Sequence, residues 1–251
     1  MTHPGHIWDK FADSYSKRPV SDQKSYETKL RTTKDYLKPD MEVLEFGCGT
    51  GTTAIFHAPY VKHIHAVDIS GKMLEIVDKK ANEQGLSNIT THKLSWQDDW
   101  LQHGIQPHDV AIASRSLAVD DLKKAITRLN SFATNKICIT DRVKHGPMDP
   151  AAFAAVGRPL HSGPDYIYTL NLLYQMGYLA SVSFIRLEES VEYSSLTEAY
   201  SSYTWMFNDL DHNEEKRLKK YVQSITTIAD DGRATVHREN VPTWAYISWQ
   251  P

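Results

Sequence analysis

The chain has 251 residues, with 28 Lys and Arg against 31 Asp and Glu, a formal charge of −3. Charged residues at 24% and hydrophobic residues at 41% are ordinary globular values and exclude disorder, collagen and coiled coil. Apolar runs stay far short of the roughly 18 residues of a spanning helix, and Cys48 and Cys138 alone supply neither a disulfide framework nor a zinc site. The N-terminus MTHPGHIWDK has no basic stretch followed by an apolar core, so no signal peptide is expected. The composition points to a cytoplasmic protein with no membrane partner and no metal, and the slight acidity argues against non-specific nucleic-acid binding.

Residues 7–37 read as two helices: IWDKFADSY, then SDQKSYETKLRTTKDYL, which opens at Ser21 as N-cap and stops before Pro39. From residue 41 the pattern alternates. MEVLEF is a short apolar strand, followed by a glycine loop and a short helix, TTAIFHAPY. HIHAVDI is a second strand. SGKMLEIVDKKANEQG carries apolar residues at 73, 74, 76, 77 and 81 and ends at Gly85, the pattern of an amphipathic helix. NITTHKL and HDVAIAS are the third and fourth strands, DDLKKAITRLNSF a helix, and KICITD the fifth strand. This alternation predicts a doubly wound α/β fold with a parallel sheet. Ligands in such sheets bind outside the carboxyl ends of the strands, here just after Phe46, Val67, Leu94, Ala113 and Thr140.

After residue 142, GPMDPAAFAAVGRPLHSGPD reads as a run of turn formers. DYIYTLNLLYQMG is a helix ending at Gly177, ASVSFIRLEE a strand, residues 195–229 two helices, and TWAYISW a final strand. DHNEEKRLKKY reads as a solvated helix face, with Glu215 and Lys219 at i,i+4 spacing.

The most informative stretch is VLEFGCGTG, where a strand runs straight into Gly47, Gly49 and Gly51 and a helix follows. Glycine lets the backbone turn sharply and lets a ligand approach the main chain. A pyrophosphate fingerprint needs G-x-G-x-x-G; here the spacing is G-x-G-x-G, and position 52 is Thr. An acid, Glu45, precedes the loop, and a second acid, Asp68, ends the next strand in AVDIS, with Met73 following.

These residues resemble the class I S-adenosylmethionine-dependent methyltransferases of small-molecule type, clearly so over residues 40–141. The WDKFADSY helix resembles the lid segment of that family, and the last two strands resemble its closing strands. The resemblance implies a doubly wound Rossmann-like seven-stranded sheet, mostly parallel, over residues 39–251, with an N-terminal helical lid over 1–38 and a helical insertion at about 190–230. It implies S-adenosylmethionine as cofactor, S-adenosylhomocysteine as product, and methyl transfer to an unidentified small-molecule acceptor. By the same resemblance, Gly47, Cys48 and Gly49 face the methionine part and Glu45 orients the loop and the amino group. Asp68 takes the ribose, and Ile69 and Met73 the adenine. Ser95 and Trp96 stand at the adenine, with Asp98 in the role of the family's acid there. Ser114 faces the methionine part, and Tyr15, Arg18 and Tyr26 close over the cofactor. Arg115, Arg158, Tyr166 and Tyr168 are placed at the acceptor. If a base is needed, Asp98, Asp141, His145 and His161 are the candidates. A nicotinamide oxidoreductase, a non-catalytic cofactor-binding module and RNA or protein methylation stay open at this point. So does the oligomeric state, with a homodimer through Trp205 and Phe207 one arrangement.

Overall fold

The computed structural model describes residues 8–10, 12 and 36–251. Tyr15, Arg18 and Tyr26 lie outside the described residues. The first half is laid down as expected. β1 (Glu42–Phe46) leads through the glycine loop into α1 (Thr52–His57), which tightens into a 3-10 turn over Ala58–Tyr60. β2 (His63–Asp68), α2 (Gly71–Glu83), β3 (Ile89–Lys93), β4 (His108–Ser114), α3 (Leu122–Ser131) and β5 (Ala133–Arg142) follow. The helices start where side chains satisfy the first free amides: Ser70 accepts from the Met73 N–H at the start of α2, and Asp121 from the Lys124 N–H at the start of α3.

Seven strands form one sheet in the order β3-β2-β1-β4-β5-β10-β6. β1 to β5 pair in parallel, whereas β10 (Thr243–Trp249) runs antiparallel to both β5 and β6 (Ser181–Arg186). Strand order reverses between β1 and β4, so the crevice of this sheet opens where Phe46 and Ser114 leave it. Each face carries its own apolar cluster. Val43, Ile64, Ala66, Leu74 and Val77 pack on one side. Ala111, Ile126, Leu129, Ile139 and Leu173 pack on the other, under α3 and α5 (Tyr166–Gln175).

The region after β5 differs from its sequence reading in two places. The run read as turns contains α4 (Pro150–Val156), capped by the Asp149 carboxylate and stopped by Gly157 at φ +86°. The insertion is not purely helical. β7 (Ser190–Tyr193), β9 (Ala234–His237) and β8 (Thr226–Ile228) form an antiparallel sheet of three strands beside α6 (Leu196–Thr204) and α7 (His212–Ser224). Val191, Tyr203, Leu218, Val222 and Val236 give this unit a core of its own, which α4 joins through Ala152 and Val156.

Candidate functional site

The glycine loop is held from several sides. The amides of Gly47 and Cys48 donate to the Val67 carbonyl, and Lys80 Nζ donates to the Thr50 carbonyl at 2.9 Å. Ser116 Oγ donates to the Phe46 carbonyl at 2.8 Å. Gly47 (φ +71°) has no room for a side chain, because a Cβ there would stand 2.3 Å from Ser116 Cβ. Gly49 (φ +54°) is the opposite case: a Cβ would meet nothing within 4 Å. The middle of the loop therefore faces open space, as a backbone that receives a ligand must. Cys48 turns inward instead; it is buried, and burial pushes its thiol well above the usual range, so it packs rather than reacts.

Two carboxylates flank the loop. Asp68 Oδ2 accepts from the Gly49 N–H and Oδ1 from the Ser70 N–H, each at 2.9 Å. The Ile69 amide also acts on the carboxylate, so of its roughly four lone-pair sites about one is left for a further donor. Asp68 is 8% exposed, and burial raises its pKa. Glu45 is 2% exposed, and its Oε2 has no hydrogen-bond partner among the described residues. Burial pushes Glu45 up to about 8, against the downward pull of Thr53, the Arg115 charge and the Ala54 amide. Thr50 Oγ1 of the same loop and Trp244 Nε1 on β10 are likewise buried without a partner among the described residues. Orphaned buried polar atoms are rare in native folds, and Glu45 Oε2, beside the open glycine loop, marks a place suited to a polar group.

Arg115 follows β4 in a left-handed conformation, φ +57°, which non-glycine residues rarely adopt. Its N–H donates to the Thr140 carbonyl at 3.0 Å. Its guanidinium lies 5.4 Å over the Trp244 ring and acts on Glu45, so it turns into the crevice instead of out to solvent. Ser114 Oγ meets Thr140 Oγ1 at 3.0 Å and ties β4 to β5. Ile69 is half-buried, and Met73 is buried at the start of α2. At the same helix start, Ser70 Oγ donates to Asp9 at 2.6 Å, which sets that carboxylate near Asp68.

After β3, the Ser95 N–H donates to Asp98 Oδ2 at 2.7 Å, and the Trp100 Nε1–H donates to the Ser95 carbonyl at 2.9 Å. Asp98 thus closes a turn. Trp96 sits 4.0 Å from Phe46, ring centre to ring centre. Asp141 accepts from Thr169 Oγ1 at 2.6 Å and from the Arg142 N–H at 2.7 Å. His161 is exposed.

Arg158 is not at the strand ends. Its Nε and Nη2 grip Glu214 at 2.7 and 2.6 Å, and Nη1 and Nη2 donate to the carbonyls of Asn208 and Asp209. Those four bonds commit the guanidinium to Glu214 and the neighbouring carbonyls, so the acceptor role expected for it is withdrawn. Tyr166 packs edge-on against Phe184 with ring centres 5.5 Å apart, whereas Tyr168 stands out from α5. Sequence reasoning missed Thr50 and Trp244. Their burial without a hydrogen-bond partner among the described residues is a property of the assembled sheet.

Comparison with known proteins places this geometry. A methyltransferase-domain family matches residues 43–134. An uncharacterized protein of Haemophilus influenzae is 32% identical over 215 residues, 85% of this chain and 79% of its own length. YcgJ of Bacillus subtilis, named an uncharacterized methyltransferase, is 33% identical over 67 residues, 25% of this chain and 26% of its own. The YcgJ crystal structure superposes with a TM-score of 0.59 at 14% identity over the alignment, covering 90% of this chain and 97% of that one. Magnesium protoporphyrin IX methyltransferase of Synechocystis, solved with bound S-adenosylhomocysteine, gives 0.56 at 13% identity, covering 98% of this chain and 94% of its own. The two solved structures share the fold. With the family match, the loop between two carboxylates and the mostly parallel sheet of seven strands, the nicotinamide alternative falls away: the chain belongs to the class I S-adenosylmethionine-dependent methyltransferases.

Proposed function

We propose that this methyltransferase holds its cofactor across the carboxyl ends of β1, β2 and β4 and methylates a small molecule. The observation that carries the reading is the orphaned Oε2 of Glu45, buried beside a loop whose Gly49 opens on free space. S-adenosylmethionine brings an ammonium, a carboxylate, a ribose diol and an adenine, and when bound it supplies a methyl group on a cationic sulfur that leaves without acid assistance. The residues fit those parts. Glu45 answers the ammonium, and Gly47 and Gly49 let the methionine part lie against the main chain. Asp68 offers its remaining acceptor capacity to the diol. Ile69 and Met73 offer apolar surface to the adenine, with Ser95 and Trp96 on its other side.

The protein's own contribution is to align and to exclude water. Holding the reactants at about 3–3.5 Å supplies on the order of 7–11 kcal/mol. A lid role for residues 1–38 is supported by the bond of Ser70 Oγ to Asp9. The likeness to an enzyme named for a porphyrin supports a small acceptor. Two of the basic residues of α7 are engaged within the protein: Lys219 lies 3.9 Å from Glu215 and 5.1 Å over the Tyr200 ring, and Arg217 donates to the Val156 carbonyl. Calorimetry with S-adenosylmethionine tests the reading. Saturable binding by the wild type is expected, and Asp68→Ala should weaken it at least about tenfold, the equivalent of one to two charge-assisted hydrogen bonds. Equal affinity in the two proteins would count against the ribose role, and no binding by the wild type would remove the proposal.

A further inference from the structure

One face of the sheet changes character toward the amino ends of its strands. Side chains alternate along a strand, and Leu44, Phe46, Val67 and Leu94 share a face that Trp100 and Ile105 cover. β3 passes to β4 through turns over residues 94–107, which supply that cover. Nearer the amino ends, the same alternation brings Glu42, His63, His65, Thr90 and His92 to this face, and the three histidines are half-buried. His65 Nδ1 lies 2.9 Å from His92 Nε2, with the rings stacked at 5.1 Å between centres. The His108 ring, at the start of β4, stands edge-on to His65 at 4.7 Å, and the His63 ring lies 4.8 Å from it. His108 is 4% exposed, and its Nδ1 is buried without a hydrogen-bond partner among the described residues. Four of the chain's 12 histidines thus share one patch. It lies outside the cofactor crevice, because His65 precedes Asp68 by three residues, about 10 Å of strand.

We propose that His65, His92 and His108 hold a divalent zinc-class metal ion that ties β2, β3 and β4 together. The inference stands apart from the cofactor reading. Donor chemistry selects the ion: imidazole nitrogen suits zinc, copper and nickel, whereas magnesium and calcium take oxygen. Burial above all keeps the three rings neutral near pH 7, the form that binds metal. The charges acting on them favour a cation. Glu42 acts on His65 and His108, and Asp109 on His108, while Lys62 offsets part of this through its 2.8 Å bond to Glu42 Oε1. A tetrahedral zinc ion, with Zn–N of about 2.0–2.1 Å, sets its ligand nitrogens roughly 3.3–3.4 Å apart, so His65 Nδ1 and His92 Nε2 need part by only about 0.5 Å. One of these nitrogens carries the proton of their hydrogen bond. That proton moves to the other nitrogen of its own ring, and each imidazole then gives the ion a lone pair while staying neutral. No three ligating groups converge on one point among the described residues; His108 completes the set by turning about its side-chain torsions, and water takes the fourth place. His63 stays at the rim, its Nε2 2.9 Å from Thr90 Oγ1.

The test is calorimetry with zinc chloride on the full-length, metal-stripped protein with any affinity tag removed. One zinc ion per chain is expected in the wild type, with a Kd in the micromolar range or below. H65Q, H92Q and H108Q should each weaken binding at least about tenfold. H237Q, in a histidine set between Ser190 and Thr227 on the small sheet, should leave it unchanged. Zinc at one hundred times its Kd should raise the wild-type Tm by about 5–10 °C and that of the H65Q/H92Q double variant by far less. Cobalt serves as a spectroscopic probe: the wild type should show the intense visible bands of a tetrahedral ion, and the double variant should lack them. Far-ultraviolet circular dichroism establishes that each variant is folded, and the half-buried positions 65 and 92 carry the test if H108Q is not. No saturable zinc binding by the wild type would overturn the proposal. So would equal affinity in the wild type and the double variant, which would mark an adventitious ion on other histidines.

Discussion

Glu45 makes cofactor binding depend on pH in a way that can be worked out in advance. Burial holds its carboxyl at about 8 in the free protein, so near neutral pH it carries a proton. An ammonium arriving at the orphaned Oε2 favours the ionised form and expels that proton. The sign follows: binding releases a proton, so affinity rises with pH until the free protein itself ionises at about 8. The ligand's own α-amino group titrates at about 7.7–8.0, which limits the clean window to about pH 5.5–7. Over those roughly 1.5 units the affinity should climb by up to about 30-fold, about 2 kcal/mol. At pH 7, a group titrating at about 8 is roughly nine-tenths protonated, so close to one proton should leave per ligand bound. Isothermal titration in two buffers of different ionisation enthalpy measures that number. Glu45→Gln removes the titrating group and should flatten both the proton release and the pH slope. No proton release by the wild type, or an unchanged slope in Glu45→Gln, would refute the reasoning.

The two glycines should separate folding from binding. Gly47→Ala forces a Cβ to 2.3 Å from Ser116 Cβ and should cost about 2 kcal/mol or more, roughly 4–8 °C in Tm. Gly49→Ala meets nothing within 4 Å, so calorimetric unfolding should show only the left-handed backbone cost of about 1 kcal/mol while cofactor affinity falls. Arg158→Ala should lower Tm by breaking the Glu214 clasp and leave the cofactor Kd unchanged; an altered Kd would return Arg158 to the site. His65, His92 and His108 crowd together on the sheet, and burial, then mutual repulsion, pushes His65 down to about 4 and the other two downward. In the unfolded chain a histidine binds its proton near pH 6.5. Stability from this cluster is thus full above about pH 6.5 and is lost as pH falls toward about 4. The Tm advantage of wild type over His65→Gln should shrink on acidification; a constant gap would contradict the assignment.

The parts of the fold legible in sequence were those specified locally. Parallel strands buried on both faces leave short apolar runs such as VLEF and AIAS, and helix starts carry their own caps at Ser70 and Asp121. The glycine loop and Asp68 were legible because backbone geometry there demands those residue types. The small sheet was missed because β7, β8 and β9 are three or four residues long and pair across 30 or more residues of chain in the case of β7 and β9. α4 could have been found: Asp149, Pro150 and Gly157 bracket PAAFAAV with a cap, a favoured first residue and a stop. Within the site, Arg158 was misplaced because its partner Glu214 is 56 residues away, a pairing that composition cannot indicate. The perturbed state of Glu45 depends on burial from several strands at once, which is a property of the assembled sheet.

A crystal structure of the protein with S-adenosylhomocysteine tests the central claim most directly. The account expects the ribose hydroxyls within hydrogen-bond distance of Asp68, the amino group at Glu45 Oε2, and the main chain of Gly47 and Gly49 against the homocysteine part. A nucleoside lodged elsewhere, or Asp68 turned from the sugar with Glu45 still unpartnered, would contradict it.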